Sequence, residues 1–243
     1  MMAMEREILL TLLEKTRDEP STREELMEAI RITGDALNSF LESLLRNNAI
    51  GSDGEKITAD INQRLGLAVR AVRAGADLER VSKALGWLEF EEMAAYTFEE
   101  NGFRVSRRFR FQADGRRWEI DVLARRRPLV ICAECKHWSK GLGNLTARRI
   151  VETHLEKVRV LSENAPRLTK RLGVGGWGEA VFVPITLSLQ PARNRIYRRI
   201  PVVSVFELPS FLSEFEGQME WLAKFSVEIP PPKPRPRQMR LKK

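Results

Sequence analysis

The run Pro-Leu-Val-Ile-Cys-Ala at Pro128–Ala133 constrains the fold more than any other segment of the chain. It is apolar on both faces, with Cys132 its only mildly polar side chain, and so predicts a fully buried strand. The run continues directly into Glu134-Cys135-Lys136. Side chains alternate along a strand, so Glu134 and Lys136 share a face with Val130 and Cys132. Burying a carboxylate and an ammonium there is costly unless they pair or meet a cation. Trp118–Ala124 reads as the preceding strand, and it carries Asp121.

The surrounding pattern predicts an α/β core over residues 87–228, a mixed sheet flanked by helices. Trp87–Glu100 is a helix closed by Gly102. Phe103–Gln112 and Trp118–Ala124 form a hairpin around Asp114-Gly115, and Leu129–Cys135 is the central strand. A long helix follows over Leu145–Glu163, then strands at Glu179–Leu187 and Pro201–Phe206. Pro184 marks an irregularity or an edge in the first of these. A last helix spans Ser210–Phe225, and the Pro- and Lys/Arg-rich tail, residues 229–243, is expected to be disordered.

Residues 1–60 read differently. Ile8, Leu9, Leu12 and Leu13 give a first helix, and Ser21 or Thr22 caps a second that ends near Ile32. Asp35 caps a third, with an apolar stripe of Ala36, Phe40, Leu44 and Leu45. A short hairpin turns at Asp53-Gly54. Three helices and a hairpin make a winged-helix-like plan. Two helical segments, Asn62–Ala74 and Asp77–Leu85, form a helical linker over residues 61–86.

Charge is uneven along the chain. Residues 1–86 hold 12 basic and 15 acidic residues, whereas residues 87–243 hold 29 basic and 18 acidic. The basic C-terminal part points to a polyanionic partner. The third helix, with Arg46 as its only base, is poorly equipped to read DNA. No apolar run approaches the ~20 residues of a membrane span, and the N-terminus lacks signal-peptide features, so an intracellular (cytoplasmic) protein is expected. Cys132 and Cys135 fall on opposite strand faces and read as buried thiols rather than a disulfide or zinc pair.

The chemistry concentrates on few side chains. On an ideal helix, Trp87, Phe90, Ala94 and Phe98 form an apolar stripe, and Glu91 falls inside it while Glu89, Glu92, Glu99 and Glu100 project elsewhere. Glu91 either pairs with an arginine at the stripe's edge or aims a third carboxylate at the sheet. Asp121 and Glu134 suit a hard cation that keeps its waters, Mg²⁺ with Mn²⁺ as substitute. Such an ion lowers the pKa of a bound water, and Lys136 beside it can neutralise a phosphoryl group. Lys140, Arg148 and Arg149 begin the long helix, where they can meet phosphates or face solvent. His137 caps the strand or contacts phosphate, and His154 reads as a core histidine.

Taken together, Phe90-Glu91 on a helix ending at Asn101-Gly102-Phe103, Glu119-Ile120-Asp121, and Glu134-Cys135-Lys136-His137 resemble the PD-(D/E)xK nucleases, the restriction-endonuclease-like superfamily. The likeness is to Mrr-type restriction endonucleases and archaeal Holliday-junction resolvases. It implies a restriction-endonuclease-like core, Asp121 and Glu134 as metal ligands, Lys136 as electrostatic catalyst and Glu91 as an outer-shell or second-metal ligand. Ala192–Phe211 is similar to the family's closing helix, strand and helix. Ile120 replaces the proline of the name, and Glu134 stands where Mrr-type enzymes commonly carry glutamine. The expected function is a Mg²⁺-dependent DNA endonuclease. The alternatives are a DNA-binding protein without catalysis and a transcriptional regulator using the N-terminal module. A homodimer is left open.

Overall fold

The computed structural model describes residues 2–30, 32–136, 145–189 and 195–231. The leucine-rich start forms α1 (Met2–Lys15), with Ile8, Leu9, Leu12 and Leu13 fully buried. A reciprocal cap opens α2 (Arg23–Ile30): Thr22 Oγ1 accepts from the Glu25 N–H, and Glu25 Oε2 accepts from the Thr22 N–H. In α3 (Gly34–Arg46) the buried residues are Leu37, Leu41 and Leu44. The expected stripe is therefore shifted: Ala36, Phe40 and Leu45 are only partly buried. Three leucines at i, i+4 and i+7 bury more apolar area than a phase built on Ala36. Thr33, not Asp35, occupies the N-cap, and Asp35 sits in the first turn.

The hairpin of β1 (Gly51–Asp53) and β2 (Lys56–Thr58) turns at Gly54, whose φ is 61°. Next, α4 (Ile61–Arg73) is capped by Asp60, and α5 (Leu78–Ala84) by Asp77. Read from sequence as a linker, these helices place Leu67, Ala68, Ala71, Val81 and Leu85 in the same apolar cluster as α1. Inside it Arg64, 3% exposed, pairs with Glu89 of α6 (Trp87–Glu100). The guanidinium also donates to the Leu13 and Ala84 carbonyls at 2.7 and 2.8 Å. One arginine thus ties α1, α5 and α6 together, a role its sequence position did not advertise.

The sheet contains β3 (Arg104–Ala113), β4 (Arg116–Arg126) and β5 (Leu129–Lys136), then, after α7 (Leu145–Leu172), β6 (Gly178–Ser188). It is completed by β7 (Ile196–Tyr197), β8 (Ile200–Ser204) and, beyond α8 (Leu208–Gln218), β9 (Phe225–Ile229). Strand order is β3-β4-β5-β6-β8-β7, with β9 also on β6. The β5–β6 and β6–β8 pairs are parallel and the others antiparallel, so the fold is α/β with a mixed seven-stranded sheet flanked by helices. One apolar layer joins α6 and α8 to Val122, Ile131 and Ala133; the other joins α7 to Ile120, Val130 and Cys132.

Pro184 lies in a gap. On one side of β6, β9 pairs with Gly178–Phe182 and β8 with Thr186–Ser188, leaving Pro184 between them. A residue without an N–H is tolerated there, which accounts for the irregularity expected. Three readings are corrected. The long helix runs on to Leu172, because Ala165 and Leu172 extend its buried stripe. Residues 190–194 lie outside the described residues, and the expected closing helix gives way to the β7–β8 hairpin. That hairpin turns on Arg198-Arg199, both left-handed at φ 53° and 63°. Finally, Phe225 ends no helix: it begins β9, and Ile229, assigned to the tail, is buried in that strand. Tail residues 232–243 lie outside the described residues.

Candidate active site

β4 and β5 stay paired as far as Val122 opposite Ala133. Asp121 and Glu134 each follow one residue beyond that pair, where the ladder ends. The alternation of β4 slips there, since Ile120 packs in the α7 layer and Val122 in the α6 layer. Across on β3, Arg108 is left-handed with φ 50°, a conformation few side chains adopt. The Cys135 N–H donates to Asp121 Oδ2 at 2.8 Å, so a side chain replaces the missing backbone acceptor. Burial, with the Glu134 charge added, pushes the Asp121 carboxyl up to about 6.

Glu134 is 4% exposed and closely paired. Lys136 Nζ stands 2.9 Å from its Oε1, and Lys157 Nζ stands 2.7 Å from its Oε2. His154 Nδ1 faces the same Oε2 at 3.5 Å. Burial opposes ionisation of Glu134, but His154 and Lys157 outweigh it and hold the carboxyl well below the usual carboxylate range. Burial likewise opposes charge on Lys136, yet Glu134 and Asp121 hold its ammonium above the ordinary lysine value. As alternation requires, Glu134 and Lys136 are on the strand face that Val130 and Cys132 turn to α7.

His154 is fully buried, as a core histidine would be, but it is not isolated from the site. Its Nε2 lies 2.9 Å from the Cys132 carbonyl and donates to it, while Nδ1 is turned toward Glu134. Nδ1 has no hydrogen-bond partner among the described residues. Lys157 was not singled out in the sequence. Its signal was its place three residues after His154, beside the apolar face of α7.

Glu91 faces inward as its helical angle predicts, and it is paired. It accepts from the Trp87 indole N–H and meets Arg108 Nε at 3.0 Å. Its charge acts on Cys135 together with those of Asp121 and Glu134, so it belongs to this end of the sheet. Lys136 Nζ lies 5.6 Å from the centre of the Trp87 ring. Arg149, Ile150 and Thr153 of α7 line a cleft of about 250 Å³ with Glu134 and Lys136. Arg148 points instead at the Tyr197 ring, 5.7 Å away. Lys140 and His137 lie outside the described residues. Cys132 and Cys135 are free and buried.

Among the described residues, no three His, Cys, Asp or Glu side chains converge closely enough to hold a metal ion by themselves. Two carboxylates at a ladder's end fit Mg²⁺, which takes its remaining ligands from water and phosphate. In the N-terminal module, the exposed positions of α3 include Asp35, Ser39, Glu42 and Arg46, an acidic face for a helix that would enter a DNA groove. Among the described residues no helix is long and apolar enough to cross a membrane.

Neither a protein-family model nor any curated protein sequence matches the chain. Two solved structures are similar. One is described as a protein of unknown function, AF1548: TM-score 0.33, 18% identity, 53% of this chain and 66% of that one. The other is protein VC1899 from Vibrio cholerae: TM-score 0.37, 15% identity, 90% of this chain and 52% of that one. The chain thus spans about half the length of the second.

Proposed function

We propose that the chain is a metal-dependent endonuclease that hydrolyses phosphodiester bonds in DNA, of the restriction or the repair and recombination type. The observation that carries this reading is the placement of Asp121 and Glu134 at the end of the β4–β5 ladder with Lys136 on Glu134. The order of these residues, their elements and the mixed sheet agree with a PD-(D/E)xK core. Asp121 and Glu134 would hold Mg²⁺ or Mn²⁺. When bound, the ion would supply a Lewis acid and an acidified water.

The chain's own groups supply the rest. Lys136 presents its ammonium, held above the ordinary lysine value, to the cleft, where it would neutralise charge on a phosphoryl oxygen. Arg149 lines the same cleft and can bind a neighbouring phosphate. The Cys135 N–H fixes the rotamer of Asp121. Trp87 and Arg108 hold Glu91 in place, where it would serve as an outer-shell or second-metal ligand. The test is Mg²⁺- or Mn²⁺-dependent cleavage that Asp121→Ala and Glu134→Ala abolish while folding survives.

A second reading, DNA binding without catalysis, draws on a specific observation: both oxygens of Glu134 are engaged by lysines. It expects salt-sensitive binding with no metal-dependent product.

A further inference from the structure

Glu134 carries two counter-ions on two different elements, and they are not equivalent. Lys136 follows on β5 itself, and its ammonium lies between Glu134 and the Trp87 ring. Lys157 reaches in from α7, and Glu134 is its only ion-pair partner among the described residues. Its side chain is less exposed than that of Lys136, 19% against 27%, but it lacks the aromatic ring that holds the Lys136 ammonium, so it can be rehydrated without breaking a second contact among the described residues. Behind it, His154 is fixed by the Cys132 carbonyl, and its Nδ1 faces Oε2 without a hydrogen bond.

The charges decide what happens on occupation. Two carboxylates are now balanced by two ammoniums. A divalent cation between Asp121 and Glu134 adds two positive charges a few ångström from both lysines. Like charges at such range in a half-buried site repel strongly. One ammonium must withdraw, and Lys157, held by Glu134 without the ring contact that Lys136 makes, has the less to lose.

We propose that Lys157 is a displaceable counter-ion that competes with the divalent cation for the Glu134 carboxylate. This rests on the reading of Asp121 and Glu134 as metal ligands. Once displaced, the ammonium faces the side of α7 that carries Thr153 and Arg149, where a nucleic-acid phosphate would sit. Lys157 is then a positioning residue in the cation-free protein and a phosphate-facing charge in the loaded one.

The experiment is calorimetric titration of Mn²⁺, without nucleic acid, into the full chain and two variants. Lys157→Met keeps the length of the side chain and removes its charge; Lys157→Arg keeps the charge. The methionine variant is expected to bind Mn²⁺ about tenfold tighter or more, as removal of a unit charge this close requires. The arginine variant is expected to match wild type. Wild-type binding with an unchanged or weaker affinity in Lys157→Met would overturn the counter-ion role alone. No Mn²⁺ binding by any of the three would instead remove the ligand assignment on which it rests. Thermal melting of each variant shows that the comparison is between folded proteins.

Discussion

Asp121 and Glu134 stand one residue past the last ladder pair of β4 and β5, close enough that the charge of Glu134 raises the Asp121 carboxyl. Burial is the larger cause, and together they bring it to about 6. A cation that needs the ionised form must displace a proton below that pH. Mn²⁺ affinity is therefore expected to fall about tenfold per pH unit below 6 and to level off above 7. Calorimetry from about pH 5 to 7.5 at constant ionic strength, with about one titration per half unit, measures it.

The same shift has a sign for stability. Asp121 is harder to ionise folded than unfolded, so between about 4 and 6 the folded state binds more protons. Its contribution is most favourable below the unfolded pKa and is lost as pH rises through about 6. At pH 7 in chelator, Asp121→Asn is expected to stabilise the protein by on the order of 2 kcal/mol, since the amide still accepts from Cys135. Urea unfolding of both proteins tests this; a destabilised Asn variant would contradict it.

Arg64 and Glu89 form a buried pair, both under a tenth exposed. Removing one partner leaves an uncompensated charge, so Arg64→Leu is expected to cost about 3–5 kcal/mol. The double variant Arg64→Leu, Glu89→Leu should recover part of that loss. Stabilities of wild type, Arg64→Leu, Glu89→Leu and the double variant in denaturant measure the coupling.

Burial pushes both thiols up, and neither forms a disulfide. Neither Cys132 nor Cys135 is expected to react with an aromatic disulfide reagent at neutral pH in the folded protein. Both should react once the chain is unfolded in urea, and absorbance of the released thiolate counts them.

Much of the core was legible because its signals are local. The apolar run before Glu134 defines β5, and strand alternation puts Glu134 and Lys136 on one face; helical angle alone turns Glu91 inward. What escaped depends on distant partners. Lys157 meets Glu134 only through the approach of α7 to the sheet, and Arg64 meets Glu89 across two intervening helix ends. β9 is five residues whose alternation gains meaning only against β6. The phase of α3 follows Leu37, Leu41 and Leu44, which bury more apolar area than a stripe built on Ala36.

The most direct test is cleavage of labelled duplex, methylated, single-stranded and four-way-junction DNA in Mg²⁺ or Mn²⁺, with Glu134→Ala and Asp121→Ala beside wild type. The account predicts a metal-dependent product from at least one substrate, absent with both variants although both remain folded. Cleavage unchanged in the two variants would contradict it, because the activity would then not reside at the end of the β4–β5 ladder.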